Sequence, residues 1–297
     1  MITAYIKWNV DPEIFNIFGI SLRYYGCLFV GGLVLCVFIL SKVFKNEGIE
    51  QEKLEKLSIY GVLGVFIGAR LGHCLFYDPI YYLSNIPEML LPIAKSVDGS
   101  YKLIGYQGLA SHGGAIGLTI AIILYARKTK ESALKTIDMM GLVAPMAGVF
   151  IRLANLMNSE IIGLPATVPW AFVFERVDDI PRHPAQLYEA FSYLAIFGFM
   201  MLMYNRKWAK LQSGVFFGAS ITLIFSARFF IEFLKEYQEE FEASMVLDMG
   251  QILSIPFMIA GVGFVVYGIY RDKNGLIVQT QNKQSRQSRR KDERKKR

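Results

Sequence analysis

The chain has 297 residues, 53% of them hydrophobic, and a mean hydropathy of +0.34. Apolar residues come in long runs, which excludes a disordered chain and an ordinary water-soluble enzyme and fits a protein built into a bilayer. The formal net charge is +7, but much of the excess sits in the basic stretch from Arg289 to Arg297. There it suits attraction to an anionic leaflet or topology control, and no nucleic-acid partner is expected.

A bilayer-spanning helix takes about 20 apolar residues. By that measure the chain reads as an all-α, polytopic bundle of seven transmembrane helices. The spans are Ser21 to Ser41, Leu57 to Tyr77, His112 to Ala126, Asp138 to Met157, Gln186 to Tyr204, Gly214 to Leu234 and Gly250 to Tyr270. Lys42, Lys45, Lys53 and Lys56, then Arg127, Lys128, Lys130 and Lys135, then Arg206, Lys207 and Lys210 fill alternate connections. Those connections are predicted to be cytoplasmic, with the N-terminus out and the C-terminus in. Residues 1–273 are expected to form one transmembrane catalytic domain with exoplasmic loops, and 274–297 a basic, disordered cytoplasmic tail. The N-terminus lacks a basic n-region, so no secretory signal is expected. Cys27, Cys36 and Cys74 read as small hydrophobes, and no metal site or cofactor is expected.

In chain order, each span carries polar residues where apolar ones belong. Tyr24 and Tyr25 open the first span, either as an interfacial aromatic belt or as groups facing a ligand. The second holds Gly64, Gly68 and Gly72 at four-residue spacing, which predicts close helix packing, and Arg70 among them, deep enough to need a partner. The connection from Asp78 to Ser111 is long enough for a lid or docking element. His112 begins the third span with Gly113 and Gly114 behind it, where missing side chains let a ligand or another backbone come close. A helix start there also offers free N–H groups to an anion.

The fourth span ends in Arg152-x-x-Asn155-x-x-Asn158-x-Glu160-x-x-Gly163. An ionised group in a membrane helix costs about 2.5 to 3.5 kcal/mol on insertion scales, so this stretch is read as a functional site or a buried pair. His183 precedes the fifth span, which opens with Gln186, Tyr188 and Glu189. The sixth carries Arg228 and Glu232 one turn apart, which at the least neutralise each other.

The outliers fall late in the outward-running spans and early in the inward-running ones, which predicts one polar layer near the outer leaflet. Arginines at that depth match the oxygens of a phosphate, and the phosphate available is a phospholipid. Such a site binds a lipid, moves it between leaflets or uses it as a substrate. His112 favours a substrate, since a neutral imidazole accepts a proton near physiological pH. A lipid or anion transporter and a structural scaffold remain the competing classes.

These residues carry a resemblance. The block from Arg152 to Gly163 resembles the signature of the prolipoprotein diacylglyceryl transferase family. Tyr25-Gly26, Gly68-x-Arg70-Leu-Gly72, His112-Gly-Gly-x-x-Gly117, Arg182-His-Pro-x-Gln-Leu-Tyr-Glu189, Arg228-Phe-x-x-Glu232 and Gly250-Gln-Ile-Leu-Ser-Ile-Pro256 are similar to further family blocks in the same order. Two positions depart from that signature: Ile151 stands where a glycine is usual, and Leu156 where an aromatic is usual. Both departures bear on packing, not charge.

The resemblance implies an enzyme of the bacterial inner membrane, its site towards the periplasmic face. It would transfer the diacylglyceryl group of phosphatidylglycerol to the lipobox cysteine of a preprolipoprotein. The partners implied are phosphatidylglycerol, signal peptides bearing a lipobox cysteine, and membrane lipids. Arg152, Arg228 and His112 are the candidate catalytic residues, with His112 either the base or a headgroup-positioning group. Tyr25, Arg70, Gly113, Gly114, Asn155, Asn158, Glu160, Gly163, Gln186, Tyr188, Glu189 and Glu232 are the candidate substrate-binding residues.

Overall fold

The structure is a computed structural model that describes residues 5–17, 20–91, 93–95, 100–103, 108, 110–237, 242 and 245–274. The basic tail expected from the sequence falls almost wholly outside the described residues. In chain order the elements are β1 (Ile6–Trp8), β2 (Glu13–Ile17), β3 (Ile20–Arg23), α1 (Tyr24–Asn46), α2 (Gln51–Tyr77), α3 (Pro79–Ser84) and α4 (Ile86–Leu90). They continue with β4 (Ile93–Lys95), β5 (Tyr101–Leu103), α5 (Ser111–Thr129), α6 (Ala133–Met157), β6 (Phe172–Phe174), β7 (Pro181–Arg182), α7 (Ala185–Asn205), α8 (Val215–Glu232) and α9 (Met249–Lys273).

The chain is mostly helical, and among the described residues six helices, α1, α2, α6, α7, α8 and α9, are long and apolar enough to cross a membrane. The third span read from the sequence corresponds to α5, which stands outside those six, a 19-residue helix whose ends are polar: Ser-His-Gly-Gly at one, Arg127 and Lys128 at the other. Span edges move as well: α1 runs on to Asn46, α2 starts at Gln51 and α6 at Ala133. The first helix begins at Tyr24, because Ser21 and Arg23 pair with Asn16 and Glu13 in the β2–β3 hairpin. The sixth ends at Glu232, because the chain beyond it turns to run beside residues 162–164.

Two compact units are present, residues 41–136 and the remainder. Within the first, α2 and α5 lie against each other along glycines. A Cβ at Gly64 or Gly68 would overlap the backbone of Gly117, and one at Gly72 the backbone of Gly113. Small residues let two helix backbones approach to contact, where larger side chains would hold them apart. Ion pairs between Lys53 and Glu131 (2.8 Å) and between Lys135 and Glu47 (3.4 Å) tie the ends of this unit.

In the other unit α8 and α9 cross where Gly218 and Gly261 meet, and Phe225 stacks on Phe257 at 4.4 Å between ring centroids. Gly141 of α6 lies on the backbone of Phe217, and Gly148 takes the ring of Tyr193. The buried carboxylate of Asp138 accepts from the N–H groups of Gly214 (2.8 Å) and Phe217 (3.0 Å). It therefore satisfies donors that the first turn of α8 leaves unpaired.

A small sheet in the order β1-β6-β7 covers the end of α6, with β1 parallel to β6 and β7 antiparallel. Leu156, Ile162, Phe172 and Phe174 form its apolar cluster, with Trp8 and Leu187 packed on them. The indole N–H of Trp8 donates to the Leu156 carbonyl at 3.0 Å, beside the Ser159 N–H that donates to the same oxygen at 3.0 Å, so the last turn of α6 is fastened from two sides. Leu156, one of the two departures from the family signature, thus already sits among aromatic neighbours.

Candidate active site

Helix α6 ends at Met157, and the chain turns sharply beyond it. Ser159 and Ile161 both adopt left-handed backbone conformations, φ 53° and 58°. For a β-branched residue such as Ile161 that conformation is strained, at a cost of order 1 to 3 kcal/mol. The turn brings Glu160 back over the last turn of the helix, where its main-chain N–H donates to the Asn155 carbonyl at 3.1 Å. Its carboxylate Oε1 then accepts from Asn155 Nδ2 at 2.6 Å and Asn158 Nδ2 at 3.4 Å. The side chain of Gln186, at the start of α7, donates to the Glu160 carbonyl at 2.7 Å and fixes the turn from outside.

Arg152 lies one turn before the end of the helix, with its side chain 11% exposed. Its Nη1 donates to Asn155 Oδ1 at 3.1 Å, and its Nε pairs with Glu189 Oε2 at 2.9 Å. Two edges of the guanidinium are thereby held, and Nη2 has no partner among the described residues. Arg228, on α8, is held far less tightly. Its Nε stands 3.9 Å from Glu232 Oε2, and its side chain is 30% exposed.

The reason lies in a residue that the sequence reading passed over. Lys235 follows α8 and is fully enclosed; its Nζ reaches Glu189 Oε1 at 3.1 Å and Glu232 Oε2 at 2.9 Å. Tyr193 adds a hydroxyl to Glu189 Oε1 at 3.2 Å. The order across the unit is Arg152, Glu189, Lys235, Glu232, Arg228. With Glu160 included, three cations meet three carboxylates, the balance a site buried in a membrane needs when empty.

Gly163 explains how Lys235 arrives there. It forms an antiparallel bridge with Lys235, and a Cβ at Gly163 would overlap the carbonyls of His183 and Leu234. Arg182 clamps the same crossing, with Nη1 on the Gly163 carbonyl at 3.3 Å and on Glu236 at 3.0 Å. Its Nη2 reaches Asp178 at 2.6 Å, and that hydrogen bond holds the Asp178 carboxyl below the usual range. Gly250 is close-packed too, since a Cβ there would overlap the Glu232 carboxylate.

Tyr25, at the start of α1, lines a cavity of about 430 Å³ with Arg23, Gly26, Asn158 and Glu160. Tyr188 accepts from the Trp170 indole at 2.9 Å and pairs with His183 Nδ1 at 3.0 Å. It faces the loop, and no bond joins it to the charged network.

In the unit of residues 41–136, Arg70 is buried and spends its donors on main-chain carbonyls. Nε donates to Met89 at 3.1 Å, Nη2 to Glu88 at 2.5 Å and Nη1 to Gly108 at 3.4 Å, with the Tyr82 ring beneath. Gly113 is taken up by the contact with α2, and Gly114 makes ordinary contacts with Ala69 and Val65. His112 is exposed, and no partner for it is found among the described residues.

A family model described as prolipoprotein diacylglyceryl transferase matches residues 12–267, most of the chain. The chain belongs to that family. It is 53% identical over 262 residues to the phosphatidylglycerol–prolipoprotein diacylglyceryl transferase of Bacteroides fragilis, covering 88% of this chain and 95% of that protein. It is 42% identical to the enzyme of the same name from Chloroherpeton thalassium, over 88% of this chain and 93% of that one. The Tolumonas auensis enzyme is also 42% identical, over 86% of this chain and 94% of its own.

In this transferase the residues singled out by burial cost alone, Arg152, Asn155, Glu160 and Glu189, stand in one bonded network. Lys235 was missed because Lys235-Glu236-Tyr237-Gln238-Glu239-Glu240 reads as a solvated loop. The available signal was Gly163, a glycine without a helix to cap or a turn to make.

Proposed function

We propose that the protein transfers the diacylglyceryl group of phosphatidylglycerol to the thiol of the lipobox cysteine in a preprolipoprotein. A C–S thioether bond forms at the glyceryl carbon, the C–O bond to phosphate breaks, and glycerol phosphate leaves. The single observation that carries this reading is the pair of arginines with unspent donors, Arg152 and Arg228, tied through one carboxylate and lysine network. The names of the relatives supply the substrates.

The reaction turns a phosphodiester into a monoester, so negative charge grows on the leaving group. Arg152 Nη2 and the loosely held Arg228 meet that charge, and their hold strengthens as it develops. Because Asn155 and Glu189 fix the Arg152 plane beforehand, little reorganisation is left for the moment of reaction. Asn158 and Glu160, with Tyr25 across their cavity, address the glycerol hydroxyls, and Glu232 keeps Arg228 in register. Gly163, Gln186 and Tyr188 shape the surrounding loop. Gly113 and Gly114 let α5 lie on α2, and Arg70 holds the chain around Glu88, Met89 and Gly108.

A free cysteine thiol titrates near 8.5, so only a few per cent is thiolate at neutral pH and a base accelerates attack. His112 is assigned that role from the chemistry of its imidazole. With α5 as a seventh span, the Lys and Arg distribution puts the N-terminus out and the C-terminus in. It sets the site towards the periplasmic face of a bacterial inner membrane.

The test is a transfer assay. Purified protein in vesicles containing phosphatidylglycerol is given a lipobox peptide, and mass spectrometry looks for a diacylglyceryl adduct. An adduct lost with Arg152→Ala and with a Cys→Ala peptide supports the reading. No adduct, with lipid moving between leaflets instead, overturns it in favour of a transporter.

A further inference from the structure

We infer that Lys235 is a positioning residue, whose task is to keep Arg228 open for the phosphate of the lipid substrate. The inference rests on the transferase reading above. The distances carry it. Glu232 Oε2 lies 2.9 Å from Lys235 Nζ but 3.9 Å from Arg228 Nε. A carboxylate one helical turn from an arginine ordinarily takes the guanidinium in a close, two-pronged pair, which would occupy the edge that a phosphate needs. Here a second cation has the carboxylate first.

The position of Lys235 is fixed independently of its charge. Its N–H donates to the Glu232 carbonyl at 3.0 Å. Its backbone bridges Gly163, and the neighbouring Leu234 carbonyl accepts from Leu164 N–H at 2.8 Å. The ammonium is thus delivered from an anchored main chain, with the side chain only 2% exposed. The wholly enclosed Glu189 is shared in the same manner: Oε1 faces Lys235 at 3.1 Å and Oε2 faces Arg152 at 2.9 Å. Arg152 therefore keeps one partner oxygen and not two. Gly250 lies against the Glu232 carboxylate, where a Cβ would overlap it, so the acid sits in a close-packed place.

Without Lys235, two buried carboxylates have only the arginines as counterions. Arg228, partly exposed and loosely held, closes onto Glu232, and the phosphate site loses a donor. The lysine acts through Glu232 and does not itself meet the substrate. Its loss is therefore felt in lipid binding more than in the bond-making step.

The experiment uses full-length protein in nanodiscs of phosphatidylcholine with increasing fractions of phosphatidylglycerol, and reads adduct formation on a lipobox peptide. Four proteins are compared with wild type: Lys235→Met, Lys235→Arg, Glu232→Gln and the double variant Lys235→Met with Glu232→Gln. Lys235→Met is expected to raise the phosphatidylglycerol fraction at half-saturation about tenfold, the scale of one lost charge-assisted contact, with a smaller change in maximal rate. Lys235→Arg restores the charge and brings half-saturation back towards wild type. The double variant removes the surplus carboxylate together with the lysine, so its half-saturation matches that of Glu232→Gln alone.

Unchanged half-saturation in a folded Lys235→Met protein overturns the inference. Should that variant fail to fold, the double variant decides, because it buries no unpaired Glu232 charge; a half-saturation well above that of Glu232→Gln overturns the inference equally. If wild type itself forms no adduct, it is the transferase reading that fails. An adduct from wild type beside an indifferent lysine sinks only the role given to Lys235.

Discussion

Asn155 donates to Glu160 at 2.6 Å, and through its other amide atom it accepts from Arg152 at 3.1 Å. One short side chain thus passes orientation from a carboxylate to a guanidinium, and only an amide can do both. Asn155→Asp keeps the acceptor towards Arg152 but sets two carboxylates against each other. Hydrogen bonds to charged groups contribute about 1.5 to 3 kcal/mol, so kcat/KM should fall by roughly one to two orders of magnitude. Asn155→Ala loses both bonds and should fall at least as far. Adduct formation timed by mass spectrometry measures this, and an Asp variant within a factor of about two of wild type would remove Asn155 from the positioning chain.

The two arginines differ in how much geometry they carry. Arg152 engages Glu189 through Nε and Asn155 through Nη1, two directions that a single ammonium cannot reproduce. Arg228 contributes charge from a loose 3.9 Å pairing. Arg152→Lys is therefore expected to lose about ten times more activity than Arg228→Lys, although both retain a cation. The reverse order would mean that Arg228 is the shape-determining partner.

Much of this was legible in the sequence, for a reason particular to membranes. Apolar runs of helical length declare spans because each unsatisfied peptide group in hydrocarbon costs several kcal/mol. Arg152 and Asn155 stand out against Leu and Met by the same cost. What stayed hidden depended on contacts far apart in the chain. Lys235 is buried only because the segment after α8 crosses Gly163, more than 70 residues earlier. The strands β1, β6 and β7 have two or three residues each, too few to show an alternating pattern. Arg70 was conspicuous by its burial, yet the carbonyls of Glu88, Met89 and Gly108 that it donates to are backbone groups, which leave no trace in side-chain identity.

Gly163 and Gly198 provide a matched pair for stability. A Cβ at Gly163 would overlap two carbonyls, whereas one at Gly198, within α7, meets nothing within 4 Å. Gly163→Ala should destabilise by about 1 to 3 kcal/mol as the crossing is forced apart, and should take activity with it through Lys235. Gly198→Ala should be neutral or raise the melting temperature slightly, since alanine restricts the unfolded chain more than glycine. Thermal melts in detergent, read beside adduct formation, check both. Equal behaviour of the two variants would discard the crossing as a structural determinant.

Acid should loosen the same crossing from its other side. Arg182 holds the Asp178 carboxyl below its ordinary value, chiefly through their hydrogen bond. A carboxyl depressed in the folded state stabilises the fold above its unfolded pKa, near 3.9, and that contribution is lost as the pH falls through the folded value. The Asp178 side chain is partly accessible, at 26% exposure, and Arg182 retains Glu236 at 3.0 Å, so the loss is expected to stay below about 1 kcal/mol. Asp178→Asn should melt below wild type at about pH 6, and the gap should narrow as the pH falls below about 3.9 and the wild-type carboxyl is protonated. A gap that stays constant over that range would assign the Asn effect to packing. A gap that closes assigns the effect to the ion pair of Asp178 with Arg182, the arginine that holds the Gly163 carbonyl at 3.3 Å.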